Sequence, residues 1–530
     1  MPATTSGLVK GTSHNGITAY LGIPYAASPA GPNRWRPPRP AEKWTGVREC
    51  VSYGPVAPQI AFEDMQFETM DEDCLNLNVW TSDPQTALPV FVWFYGGRFV
   101  AGAGSQRIYD GASLASKGVV VVTLNYRVGI LGFLAHPELD REGLAACGVE
   151  CSGNYGLLDQ RAALEWIRDN IAAFGGDPHR VTIAGQSAGA ASVGLHLLSP
   201  LSKGLFHGAI SQSGQRFTHD PMLLSLAPAY RSKETALRQG VETVAEKGCA
   251  TLAEMRALPV DILLQGNNKN EEIETLGPPN PPPPPFYRPC VDGHFLPAEP
   301  GECLRRGTQS DVPVLTGHNA DEGGTIGVRK SVVMTDEQIR HAARRRYTSD
   351  EMTDRFFQLY PLSGGAVPAT SFDADPRYAA WNAQARNNSR VTVAMWAEQF
   401  HQHAASPVYG YFFDKIPPQK AGGNEKFGAH HAAELPYVFD NFVFSPEYPW
   451  SEGDKQVAQT VSTYWVNFIQ HGDPNGFLSG EKEKPQSLPY FPPVGKEIMR
   501  LGEKNGAMKL TETSAREVFC REFLLASREY

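Results

Sequence analysis

Residues 181–191 read Val-Thr-Ile-Ala-Gly-Gln-Ser-Ala-Gly-Ala-Ala, and within them Gly185-Gln186-Ser187-Ala188-Gly189 sets a serine between two glycines. A β-branched apolar run leads in and a small-residue helical stretch follows. Strand, sharp turn and helix are the context in which a serine oxygen is held out as a nucleophile. The tight turn leaves no room for bulk on either side of the serine. A helix beginning at Ala188 would favour negative charge near its N-terminus.

A serine nucleophile needs a base to take its proton, a carboxylate to orient that base, and donors for the oxyanion. Two adjacent acids, Asp321 and Glu322, follow the apolar run Val312–Leu315, so either one could serve as the acid. Among 14 histidines, the late pair His430 and His431 sits in a small-residue loop, Gly428-Ala429-His430-His431-Ala432-Ala433-Glu434-Leu435. His431 and Glu434 also have a metal-like spacing, but no third ligand stands near them in sequence. No metal or organic cofactor is expected for this chemistry. Gly96-Gly97-Arg98 closes another apolar run, Pro89–Tyr95, and its backbone N–H groups together with that of Ala188 are candidate oxyanion donors.

These residues need rigid elements to hold them. Ile17–Tyr25, Leu75–Trp80, Pro89–Tyr95, Val119–Asn125, Val181–Ala184, Val312–Gly317 and Tyr409–Phe413 read as strands. Runs that are apolar throughout indicate strands buried on both faces. Asp159–Ala173 and Lys455–His471 read as amphipathic helices, each closed by a Gly-Asp-Pro signal. Strands alternating with helices imply an α/β chain with a mostly parallel sheet. Residues 220–290 read as helical and then loop, ending in the five prolines Pro281–Pro285, which must be extended.

Composition excludes other classes. Hydrophobic content of 41% and charged content of 20% describe a globular chain, and the net charge of −9 disfavours nucleic acid or an anionic membrane as partner. No run approaches the length of a spanning helix. The N-terminus carries no secretory signal pattern, which points to a cytoplasmic location, with a secreted mature form as the alternative. The eight cysteines match no zinc spacing.

The chain resembles the type-B carboxylesterase/cholinesterase family of α/β-hydrolases. Blocks along nearly its whole length carry the resemblance: Tyr20–Ala26, Glu72–Asn78, Asn125–Gly129, Gly153–Gln160 and Phe174–Pro178, together with the serine turn. The resemblance implies one catalytic domain over residues 1–530. Its fold would be a large mixed, mostly parallel central sheet flanked by helices, with inserted helical and loop regions. By the family pattern the acid is Glu322, the base is His431, and Ser213 supports the acid. The oxyanion positions fall on Gly97, Arg98 and Ala188. The implied reaction is hydrolysis of a small-molecule carboxylic ester through an acyl-enzyme on Ser187. An amidase, a carbamate hydrolase, a lipase or a non-catalytic binding module on the same fold are the alternatives.

The chain departs from the family at several positions. Gln186 stands where the family has Glu, and Arg98 where it has Gly or Ala. The family's disulfide positions retain Cys74, Cys249 and Cys520 without their partners, which suggests a reducing compartment; Cys50–Cys74, Cys147–Cys151 and Cys290–Cys303 are the remaining candidate bridges. The loop Ala57–Asp73 has no tryptophan and the proline run replaces aromatics, so a cholinesterase cage for a quaternary ammonium is not expected. Pro285 and Tyr287 are candidate pocket residues. Arg98 and Arg216 suggest substrates with a free carboxylate, unless both arginines pair with protein acids.

Overall fold

Leu88–Phe94 and Val120–Leu124 are apolar almost without interruption, and in the structure their side chains are buried on both faces. Such strands belong at the centre of a sheet covered by helices. The computed structural model describes residues 1–62, 65, 67, 69–224, 230–271, 283–322, 336–347, 349–362, 376–420, 428–476 and 488–529. Pro281 and Pro282 of the proline run lie outside the described residues.

The chain divides into two compact units, the first comprising Met1–Ile210, Ala227–Glu271 and Pro284–Val312 and the second the remainder. In the first unit the longer strands of the large sheet are β1 (Ile17–Pro24), β2 (Asn76–Thr81), β3 (Leu88–Phe94), β4 (Val120–Leu124) and β5 (Gly176–Gln186). They run in the order β5-β3-β4-β2-β1, followed by the short strand Thr12–His14. β3 pairs in parallel with both β5 and β4, while β2 pairs antiparallel with β4 and with β1. Register places Phe94 opposite Gly185, so β3 and β5 end side by side where the serine turn begins. Helix α1 (Tyr155–Asn170) runs on through a 3-10 turn to Phe174 and ends at Gly175, whose φ of 81° needs a glycine. Helix α2 (Ala188–Leu198) packs on β5 and β3.

The second unit takes the end of β6 (Gly208–Gln212) and then β7 (Val314–Asn319), β8 (Val408–Phe413), β9 (Glu497–Leu501) and β10 (Gly506–Lys509), in that order. β7, β8 and β9 are parallel and β10 closes antiparallel. Helix α3 (Pro376–Phe400) packs on β7 and β8. Helix α4 (Glu452–His471) begins with a reciprocal Ser451–Asp454 capping box and stops at Gly472 in the left-handed region. Aromatic side chains including Tyr347, Phe356, Trp381, Phe519 and Phe523 fill a core of this unit.

Two details differ from the sequence reading. The turn sequence Gly175–Pro178 stops the helix as expected, but the following strand already starts at Gly176, five residues before the apolar run. Arg231–Ser232 pairs in parallel with Cys290–Val291 inside the region read as helix and loop. Two residues per strand are too few to leave a periodic signal. The helices expected there are present as Lys233–Glu246, Leu252–Arg256 and Val260–Leu264. All eight cysteines are free thiols, so none of the three candidate bridges forms.

Candidate active site

Ser187 has φ 58° and ψ −121°, a conformation that side-chain-bearing residues seldom hold. Its neighbours show why it is kept there. A Cβ on Gly189 would run into the Phe94 carbonyl oxygen, and one on Gly185 into the Gly189 backbone. β5 and α2 therefore approach one another and β3 more closely than any side chain would allow. The first carbonyl-to-amide bond of the helix runs from Ser187 O to Ala191 N at 2.9 Å, which leaves the Ala188 N–H at the open end of α2.

The loop after β3 comes back to the same turn. A Cβ on Gly96 would lie 2.8 Å from the Gln186 carbonyl oxygen and 3.1 Å from Ser187 Cβ. Gly97, Arg98 and Phe99 all have positive φ, at 117°, 58° and 62°. The Gly97 carbonyl accepts from the N–H groups of Val100 and Ala101, each at 3.1 Å, and the Phe99 carbonyl accepts from Gly129 N–H at 2.6 Å. These bonds hold the three-residue turn in a strained arc beside the serine. Nucleophile and candidate oxyanion donors thus belong to one rigid piece of the first unit. The Arg98 side chain leads away from its backbone, with Nη2 donating to Asn270 Oδ1 at 3.0 Å. Asn270 bridges Pro285, and Tyr287 is buried with its hydroxyl 3.2 Å from Thr243 Oγ1.

The acid and the histidine are together in the second unit. Glu322 follows β7 directly. Its Oε2 lies 2.5 Å from His431 Nδ1, and its Oε1 accepts the Ser213 hydroxyl at 2.6 Å and the Asn319 N–H at 2.8 Å. Burial alone would raise the Glu322 carboxyl, but His431 and the other donors outweigh it and hold it well below the usual carboxylate range. For His431, burial pulls the pKa down and Glu322 pulls it up; the net shift is upward. With Nδ1 occupied by the carboxylate, Nε2 is the basic nitrogen. Ser213, like Ser187, is strained, with φ 58°.

The choice between Asp321 and Glu322, open in the residues themselves, is clear in three dimensions. Asp321 is turned away from His431. It pairs with Arg386, and its Oδ2 accepts the Ala429 N–H at 2.8 Å. A Cβ on Gly428 would collide with that same carboxylate, so the small residues of the histidine loop exist to dock on Asp321. Asn319 Nδ2 adds a bond to the His430 carbonyl at 2.7 Å. His430 serves this loop geometry, its Nδ1 lying 2.8 Å from the His431 carbonyl.

Glu434 is engaged by side-chain amides. Its buried carboxyl accepts from Gln212 Nε2 at 3.0 Å and from Asn319 Nδ2 at 2.5 Å, and burial raises its pKa. No group of three or more metal-ligating side chains occurs among the described residues. Arg216 is buried and pairs with buried Asp220 at 2.9 Å. His318, which the sequence reading did not single out, faces Glu322 from β7 with Nδ1 3.6 Å from Oε1. A histidine inside an apolar strand gives no sequence signal that separates it from a core residue.

The carboxylesterase family model matches residues 2–519. Over 519 residues the chain is 36% identical to a fumonisin B1 esterase of Sphingopyxis macrogoltabida, covering 95% of this chain and 86% of that protein. It is 34% identical to the para-nitrobenzyl esterase of Bacillus subtilis, covering 89% and 90%. Among solved structures, a PNB esterase superposes with a TM-score of 0.77 at 30% identity over 99% of each chain. A carboxylesterase of Geobacillus stearothermophilus gives 0.76 at 30% identity over 98% and 99%. The expected large, mixed, mostly parallel sheet flanked by helices is therefore the α/β-hydrolase fold. The chain belongs to the carboxylesterase family and is a carboxylic-ester hydrolase.

Proposed function

We propose that this esterase works through an acyl-enzyme on Ser187, with His431 as general base and Glu322 as the acid that orients it, within one catalytic domain. The carrying observation is the short Glu322–His431 bond, which presents His431 Nε2 as base, with the strained Ser187 turn as its complement. His431 takes the Ser187 proton as the hydroxyl attacks the ester carbonyl. Glu322 stabilises the imidazolium that forms. The Gly97, Arg98 and Ala188 N–H groups receive the oxyanion, and each such donor is worth about 3 kcal/mol of transition-state stabilisation. His431 returns the proton to the leaving alcohol, and water repeats the sequence on the acyl-enzyme.

The substrate is a small-molecule ester. Arg216 is engaged by Asp220, and Arg98, within the proposed oxyanion loop, donates to Asn270. By its place in the loop beside Ser187, Arg98 is the residue that would meet an acyl group bearing a carboxylate. Pre-steady-state hydrolysis of p-nitrophenyl esters, neutral and carboxylate-bearing, tests both points. A burst of nitrophenol equal to the enzyme concentration supports the acyl-enzyme. Linear release, with no acyl adduct trapped on the Ser187 peptide by acid quench, contradicts it.

A further inference from the structure

Glu322 has a second histidine on its other side. His318 is only 1% exposed, and its Nε2 lies 3.2 Å from the Gln215 carbonyl oxygen. A carbonyl can only accept, so the neutral ring keeps its proton on Nε2 and turns the Nδ1 lone pair outward. That Nδ1 faces Glu322 Oε1 at 3.6 Å and has no hydrogen-bond partner among the described residues. Oε1 already accepts two bonds, from Ser213 and Asn319, while Oε2 is given to His431. A carboxylate oxygen thus stands opposite a bare imidazole nitrogen, one proton short of an ion pair.

Few charges act on this ring. On the segment after β6, Arg216 opposes its protonation and is itself held by Asp220. After β7, Glu322 favours it. Beyond Glu322 lie His431 and the buried Glu434. From β8 the residue in register with His318 is Phe412, an uncharged ring with the Arg390 guanidinium 4.8 Å from its centroid. Burial, reinforced by Arg216, holds His318 below the ordinary histidine value, so it is neutral at pH 7.

Taking Glu322 as the acid of the triad, we propose that His318 is a positioning residue that gates it: neutral, it leaves the Glu322 charge to His431, and protonated, it claims that charge through Oε1. In the neutral state the Nδ1 lone pair disfavours charge on Oε1, and the carboxylate is polarised toward Oε2 and His431. Proton uptake at Nδ1 makes a second charge-assisted contact to one carboxylate. Two imidazoliums then share one acid, and the pair titrates as coupled sites. The form with His318 protonated and His431 neutral has a weakly supported base and turns over poorly.

The test is the acid limb of log kcat/KM on a p-nitrophenyl ester, in wild type, His318→Gln and His318→Leu. Gln keeps an Nε2 donor for the Gln215 carbonyl but does not titrate; Leu keeps only the bulk. Wild type is expected to fall with a limiting slope of about two, and both variants with a slope of about one, with KM little changed. Proton NMR of wild type gives a reading that needs no variant. The low-field His431 Nδ1 proton should move as the His318 ring titrates. A slope of two in either folded variant, or a His431 proton indifferent to His318, overturns the proposal. Absence of the low-field His431 proton at every pH, with no acyl adduct on Ser187, would instead overturn the triad itself.

Discussion

At Arg98 the backbone sits where glycine is preferred, yet the side chain extends to Asn270 rather than into the space of the missing hydrogen. In the proposed oxyanion hole only the backbone N–H of this position is needed, so a side chain that leads away is compatible with it. Arg98→Gly should therefore keep neutral-ester turnover near wild type. Esters with an acyl carboxylate should lose about tenfold in kcat/KM, the worth of one charge-assisted hydrogen bond. Matched kinetics on the two ester series check this, and equal effects on both would remove Arg98 from specificity. In the proposed triad the Glu322–His431 pair governs where activity begins to fall. His431 must be neutral to act as base, and its pKa is raised, so activity is lost as pH falls through a value above the ordinary histidine pKa. Glu322→Gln removes the charge that raises it. The acid limb should move to lower pH while kcat drops by about four orders of magnitude. An unmoved limb would assign that ionisation elsewhere.

The elements fix geometry that the side chains alone cannot. β3, β5 and α2 touch through Gly185 and Gly189, and the strain at Ser187 is sustained by that contact. Gly189→Ala forces the Phe94 carbonyl to retreat. Stability should fall by about 1–3 kcal/mol, and activity by about a hundredfold from misplacement of the serine. Thermal unfolding and kcat together check this, and unchanged kcat would show that the close contact does not position Ser187. The same contact explains what the sequence could reveal. Gly-x-Ser-x-Gly between an apolar run and small residues announces its turn, because close backbone approach demands glycine. Asp321 and Glu322 were indistinguishable by type and position. The family pattern pointed to Glu322, and docking of Gly428 and Ala429 on Asp321 shows what the other acid does. His318 left no mark, since burial of a strand histidine against a carboxylate is a tertiary event.

At the scale of the whole molecule, each of the two units carries residues of the proposed mechanism. The strained Ser187 and the Gly97–Phe99 turn belong to the first unit, and Glu322, His431 and Ser213 to the second. Long ordered motifs made the fold legible, whereas the arginine contacts left no sequence signal: Arg98 reaches Asn270, far off in the chain. Arg216 finds its acid four residues on, inside a buried turn that composition does not reveal. Among the described residues no helix is long and apolar enough to cross a membrane. Eight free cysteines mean that no covalent cross-link contributes to stability. Tm and activity should be the same with and without dithiothreitol, and a drop of several degrees on reduction would reveal a disulfide. The central claim is tested most directly at Ser187, by labelling with a fluorophosphonate probe, peptide mapping, and assay of Ser187→Ala. One label per chain on the Ser187 peptide is expected, with turnover of the alanine variant lower by about six orders of magnitude. Labelling elsewhere, or near-normal ester hydrolysis by Ser187→Ala, would contradict it.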